Sequence, residues 1–340
     1  MSLAHQFIIA LGSLNGVGVT SVNKVCGAAE AQNALIETAK DLHVFIKEMI
    51  AKGALSRVKL PSISDIEKAE IVAESILARS ERMGIHTVSR YDYDFPRMLL
   101  STVGEDGKAS VPVLLYYKGD LSITSLPALA VIGTREPDSY GLKAGHYYSE
   151  AFASIGVNIV SGLALGCDTQ GHRGALDAGG VTTAFLAHGL DKVYPEENTD
   201  LAQEIVDKGG LLMSEYPIGT WVNRYNLVAR DRLQAGLSDA TLVIQTGIKG
   251  GTMHAVRATQ AARKPLFVVD YSKSSFDKVE GNVFLKKEGA VGLSASEFSA
   301  SRIRSNPESM IAMLRGNKAP VEVVEKKDKP ESDGLLPLDL

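Results

Sequence analysis

Residues 129–145, LAVIGTREPDSYGLKAG, decide the fold. An apolar run over residues 128–132 stops abruptly at Gly133, Thr134 and Arg135. After the polar turn Glu136-Pro137-Asp138-Ser139 come Tyr140, Gly141 and a helix-compatible segment reaching about Ile155. This is the pattern of a buried strand, a turn the size of a phosphate and a helix, the opening unit of a parallel α/β sheet. Gly133 lets a ligand approach the backbone, and a helix starting here turns its free N–H groups and positive dipole end toward that ligand. Arg135 adds a forked donor suited to phosphate. A tight turn carrying a solvated arginine accounts for the same residues. The glycines do not follow GxGxxG spacing, so no dinucleotide is implied.

Working outward, apolar runs recur over residues 157–160, 182–187, 211–213, 241–245 and 265–269, most of them separated by helix-compatible segments. Such alternation specifies an open parallel sheet with helices on both faces and right-handed crossovers. The loops beyond the strands' carboxyl ends then share one edge, where ligands bind in such sheets. Those loops begin at Gly133-Thr134-Arg135, Ser161-Gly162, His188-Gly189, Glu215-Tyr216 and Gly247-Ile248-Lys249-Gly250-Gly251-Thr252. Short strands around residues 85–89 and 113–120 feed the main sheet, and residues 290–293 supply a short last strand.

Residues 1–83 read as a small helical domain. Its first two helices flank Gly16-Val17-Gly18, a helix-hairpin-helix pattern in which glycine amides can face a DNA phosphate. A packing unit with no ligand fits equally, because the turn carries no lysine or arginine. Further helices are expected over 28–51 and 64–83, the latter capped by Ser64 or Asp65. Residues 84–300 form the sheet domain. Residues 301–340 read as a flexible polar tail, ending in Leu335-Leu336-Pro337-Leu338-Asp339-Leu340.

With 340 residues, 45% apolar and 22% charged, the chain has the composition of a soluble protein with a sizeable core. Its formal charge of −4 does not advertise a nucleic-acid binder, but clustering of basic residues matters more than the sum. Cys26 and Cys167 offer neither a disulfide framework nor a metal quartet, as expected in a reducing cytoplasm. No run reaches the roughly 18 apolar residues that span a bilayer.

Lys249-Gly250-Gly251-Thr252 precedes a helix-compatible segment and makes a second anion cradle, without Walker A spacing. Arg224, Arg230 and Arg232 follow Trp221, with Tyr225 among them. Cations interleaved with aromatics suit single-stranded nucleic acid, and a solvated charged turn before a helix around Leu233 suits the same residues. His172, His188 and His254 match no metal-binding helix spacing. Cys167 beside Asp168 is either a nucleophile or small packing volume. No acid–base pair and no serine elbow emerges, so no catalytic residue, metal or cofactor is expected.

The motifs VIGTREPDSYG, SGLALGCD, HRGAL, AHGLDKVYPEEN, LLMSEYPIGT, RDRLQAGLSDATLVIQTGIKGGT and KPLFVVD, in this order, resemble the DNA-processing protein A family (DprA, also called Smf) over about residues 5–290. The resemblance implies a Rossmann-like domain that binds single-stranded DNA, dimerises and helps load a RecA-type recombinase in natural transformation. It implies a positively charged pocket at Gly133, Thr134 and Arg135, Ser161 and Gly162, Arg230 and Arg232, and Lys249, Gly250, Gly251 and Thr252. Departures are Asp231 where the family usually has asparagine, Ala229 where arginine is common, and Met253-His254 in place of a small or aliphatic pair. Each lost or reversed charge should weaken phosphate binding. The winged helix of many members is not evident.

The expected activity is therefore non-enzymatic binding of single-stranded DNA in the cytoplasm, by a homodimer whose exposed sheet edge is paired. A nucleotide-binding sensor or phosphoribohydrolase-type enzyme of the superfamily that includes the lonely-guy proteins is the rival; no glutamate opens the helix after Gly250, where such enzymes carry carboxylates. An adaptor acting through the first helices and the tail leaves the convergent loops unexplained.

Overall fold

Burial on both faces turns the apolar runs into strands. The computed structural model describes residues 3–271, 279–294 and 298–316. Four helices come first, α1 (His5–Ser13), α2 (Val19–Ala31), α3 (Ala39–Ala51) and α4 (Ile63–Arg82). The helix expected over 28–51 is two helices: α3 starts afresh under a capping box in which Thr38 and Asp41 each satisfy the other's backbone amide. The cap of α4 is Ser62, with Asp65 as its reciprocal partner, rather than Ser64.

The sheet elements follow in the order β1 (His86–Ser89), β2 (Leu114–Gly119), β3 (Ala128–Ile132), α5 (Ser139–Ala153), β4 (Asn158–Ser161), α6 (Cys167–Asp177), β5 (Thr182–Leu186), α7 (Thr199–Asp207) and β6 (Leu211–Ser214). Next come α8 (Arg224–Leu237), β7 (Ala240–Val243), α9 (Thr252–Ala261), β8 (Leu266–Val269), α10 (Glu280–Lys287), β9 (Val291–Leu293), α11 (Ala300–Ser305) and α12 (Pro307–Leu314). The nine strands form one sheet in the order β1-β2-β6-β5-β4-β3-β7-β8-β9. All pairs from β6 to β9 are parallel, as the Rossmann-like expectation requires. β1 and β2 add an antiparallel edge to it.

Strand alternation distributes the core to both faces. Leu129 and Val131 of β3 join Tyr148 and Phe152 of α5 on one face. Ala128 packs with Leu233 and Leu237 of α8, and Ile132 with Val256 of α9, on the other. The chain runs outward from β3 through β6, then returns to β7 on the other side of β3. The switch point of the sheet therefore lies between β3 and β7, where two adjacent strands send their connections in opposite directions.

The first helices share an apolar core with the sheet, since Phe7, Leu42 and Ile66 cluster with Tyr116, Leu186 and Leu212. His5 tightens this junction by bonding Thr87 and Asp92, each at 2.8 Å. A cavity of about 870 Å³ lies between α1–α2 and α8, and the Gly18 turn lines it. No described helix is long and apolar enough to cross a membrane.

The expected tail is shorter than 301–340. Ile303, Met310 and Leu314 are buried in the cluster that contains Phe152 and Phe267, so residues 301–316 belong to the folded body. Residues 317–340, with the leucine-rich end, lie outside the described residues. Replacing Ile303 by alanine should therefore cost about 2–5 kcal/mol, read as a lowered urea midpoint with an unchanged m-value. A midpoint equal to that of the unaltered protein would return this segment to the tail.

Candidate functional site

At the switch point the exits of β3 and β7 are tied together: the Thr134 amide donates to the Gln245 carbonyl at 2.8 Å. A groove of about 780 Å³ opens above this link. Gly133, Thr134 and Arg135 form one wall, the segment 246–252 leading into α9 forms a second, and Arg224, Leu227, Val228 and Asp231 of α8 form a third. The structure thus brings together nine of the expected residues, Gly133, Thr134, Arg135, Arg224, Arg230, Lys249, Gly250, Gly251 and Thr252. Ser161, Gly162 and Arg232 do not line it.

The two cradles read from sequence differ in kind. At the first, Gly133 is required for packing, because a Cβ there would stand 2.5 Å from the sulfur of Cys167 and 3.0 Å from the Gln245 carbonyl oxygen. The α5 terminus is already satisfied: the Asp138 carboxylate accepts from the amides of Tyr140 and Gly141 at 3.0 and 2.8 Å. The free N–H groups expected after Gly133 are therefore occupied, and Arg135 is what the turn offers a ligand. Cys167, wedged behind Gly133, has its thiol pushed up to about 12 by burial, which suits packing rather than nucleophilic attack.

The second cradle is open. A Cβ at Gly250 or Gly251 would meet nothing within 4 Å, so neither glycine is there to relieve a clash. α9 has no side-chain cap, and the amides of Gly250, Gly251 and Thr252 donate to no protein acceptor among the described residues. Uncapped amides at a helix start, with the positive dipole end behind them, form a ready anion site. Arg135, Arg224 and Lys249 are exposed around it. None of the three makes an ion pair or side-chain hydrogen bond among the described residues.

The other arginines are committed elsewhere. Arg230 is 5% exposed, and its guanidinium points inward. Nη1 donates to the carbonyls of Gly162 and Phe185 at 2.7 and 2.5 Å, and Nε donates to Asp231 at 3.1 Å. Gly162 is needed here because a Cβ would fall 1.9 Å from that Nη1. Ser161 is buried and donates to the Val131 carbonyl at 2.6 Å. Leu163 takes a left-handed φ of 59°, held by Asn198, which donates to its carbonyl at 2.9 Å, and by Asp168, which accepts from the amides of Gly162 and Ala164. Arg232 emerges on another side of α8, where Glu215 takes both its terminal nitrogens at 2.7 Å and Ser110 accepts from Nε. The expectation that Arg230 and Arg232 hold phosphate beside Arg135 is corrected: the first is buried and the second is neutralised.

Sequence reasoning missed a third charge group. Arg257 lines the groove, but Glu105, on a loop before β2, bonds it at 2.8 Å and His254 at 2.5 Å. The signal was helical: His254 and Arg257 stand three apart on α9, on one side of the helix that Lys249 introduces. His172 is buried against Thr182, and burial pushes its ring down to about 3, so it stays neutral.

The family described as DNA recombination-mediator protein A matches residues 86–302. The chain belongs to that family. It is 35% identical over 215 residues to protein Smf of Synechocystis sp., covering 62% of this chain and 52% of that protein. The chain thus spans about half the length of that relative. Its fold is similar to that of DNA processing protein A from Streptococcus pneumoniae, at TM-score 0.69 and 24% identity over 90% of this chain and 98% of that one. It is also similar to DNA processing protein A from Helicobacter pylori, described for its single-stranded DNA binding mode, at TM-score 0.55 and 29% identity over 66% of this chain and 95% of that one.

Asp231 provides a test of the buried arrangement. Burial pushes its carboxyl from 3.8 up to about 6, although Arg230 pulls the other way. Because the folded value lies above the unfolded one, folding favours the protonated form, and the destabilisation is absent below pH 3.8 and complete above about pH 6. Asp231→Asn should therefore raise the urea midpoint at pH 7.5 and lose that advantage at pH 4. A lower midpoint for the variant at pH 7.5 would mean that the ion pair with Arg230 outweighs burial.

Proposed function

We propose that this chain holds single-stranded DNA in the groove between β3 and β7, as a DNA-processing protein that binds the strand without breaking it. One observation carries the proposal: three cations without a partner among the described residues, Arg135, Arg224 and Lys249, surround helix-terminal amides that donate to no acceptor among those residues, on one groove at the switch point of the sheet. A cation left unpaired beside free N–H donors favours an anion that supplies both charge and acceptors, as a phosphodiester does. The inward-facing Arg230 serves the groove indirectly by fixing its walls. The Helicobacter protein's described binding to single-stranded DNA supports the same choice of ligand.

The family assignment extends the proposal to protection of the strand and loading of a RecA-type recombinase, by a cytoplasmic homodimer. The sheet has a short exposed edge at β9, where Val291 is 48% exposed, and pairing or covering such an edge favours association. Loops on the edge of a sheet admit splayed bases more readily than a rigid duplex, so single strands should bind more tightly than double strands at the same salt.

Each free cation that neutralises one phosphate contributes to the salt dependence of binding. Arg135→Ala, Arg224→Ala and Lys249→Ala should each weaken binding across sequences and flatten the slope of log affinity against log salt by roughly 0.7 on a single strand. Fluorescence anisotropy with labelled oligonucleotides measures both quantities. Unchanged slopes in all three variants would place the strand elsewhere.

A further inference from the structure

We infer that the strand's bases leave the cationic groove over the start of α8 and stack on Trp221 and Tyr225. This rests on the groove being a single-strand site, and it adds the element that reads bases rather than phosphates. Trp221 is 69% exposed and Tyr225 is 85% exposed. Two large aromatic rings held in water four residues apart in the chain cost apolar hydration that a folded chain ordinarily avoids. Between them in sequence stands Arg224, which lines the groove. The aromatic pair therefore flanks in the chain a residue of the cationic site.

Trp221 has a defined position. The loop that carries it is tied to the exit of β5: the Gly189 amide donates to the Thr220 carbonyl at 3.1 Å, and the Gly219 amide to Asp191 at 2.9 Å. Lys192, on that exit, places its ammonium 3.3 Å from the centre of the indole ring. A cation over the ring covers part of the indole and supplies positive charge beside it. Asn223 then caps α8, its side chain accepting from the Asn226 amide at 2.9 Å, which sets Arg224 and Tyr225 in the first turn. Along the chain a cation stands between the rings, Trp221, Arg224, Tyr225, and Lys192 lies over the first ring, which suits a strand in which stacked bases and phosphates alternate.

The sheet supplies a matching span. From β7, whose exit carries Lys249, to β6, whose exit leads to Trp221, the order is β7-β3-β4-β5-β6. With neighbouring strands about 4.8 Å apart, the edge between them measures roughly 19 Å, enough for a few nucleotides of extended strand. A protein partner would use the same rings as an apolar anchor, but Lys192 over the Trp221 ring and Arg224 between the two rings in sequence favour a polyanion.

Trp221 is the only tryptophan in the chain, so its emission reports this position alone. The full chain is titrated with oligothymidylate and with an abasic deoxyribose-phosphate oligomer of equal length, following anisotropy and tryptophan emission together. Oligothymidylate should quench the emission in step with binding. The abasic chain should bind through the groove and leave the emission unchanged. Trp221→Ala and Tyr225→Ala should each weaken oligothymidylate about 5- to 150-fold, with no matching loss for the abasic oligomer, while Trp221→Phe retains most of the affinity. Unquenched emission at saturating oligothymidylate, or equal losses for both oligomers, would overturn the stacking. Failure of the unaltered protein to bind either oligomer would remove the groove and the stacking together, whereas abasic binding without quenching would leave the groove standing alone.

Discussion

The buried guanidinium of Arg230 is the constraint on which the site depends. A charge taken out of water is stable only where hydrogen bonds and opposite charge replace its hydration. Here the carbonyl of Gly162, just beyond β4, and that of Phe185 in β5 accept from one nitrogen, and Asp231 accepts from another. The side-chain amide of Gln234, one turn along α8, lies beside the same group and accepts from it at 3.1 Å when its oxygen and nitrogen are interchanged. These contacts tie α8 to the exits of two strands. They also require Gly162 to lack a side chain and hold Asp168 and Asp231 near each other, where burial pushes both carboxyls up.

From this follows a division among the cations. Arg230 fixes the walls, Glu215 holds Arg232 on another side of α8, and Glu105 restrains Arg257 on α9. Their charge is spent within the protein. Arg135, Arg224 and Lys249 have no partner among the described residues and line the groove, which makes them the cations that the proposal assigns to a ligand. The same division explains why a chain of formal charge −4 can present a cationic site: the surplus is local, set by which basic side chains the fold leaves unpaired.

Much of the fold was readable because parallel strands buried on both faces must be continuous apolar runs. The six runs fall on β3 to β8 with ends displaced by a residue or two, and their order places the ligand edge. The fate of individual charges was less readable. Residues 221–232 were open to reading as a charged turn, yet α8 begins at Arg224. Once that helix is fixed, Arg230 lies three and seven residues before Leu233 and Leu237, on the stripe that faces the sheet, and Arg232 does not. Gly133 and Gly250 look alike in sequence, but only the surrounding packing shows that the first accommodates Cys167 and the second fronts open space. The short helices over 300–314 escaped the reading because a polar stretch from Arg304 to Ser309 divides their apolar residues, of which Ile303, Met310 and Leu314 are buried in the core.

The separation between supporting and ligand-holding arginines is tested most directly by the salt dependence of single-stranded DNA binding in Arg230→Gln, measured at a temperature where the variant remains folded. If Arg230 only fixes the walls, its denaturant midpoint falls while the slope of log affinity against log salt stays at the value of the unaltered protein. A slope reduced by roughly 0.7, the loss of one phosphate contact on a single strand, would show that Arg230 itself holds the DNA and would contradict the division.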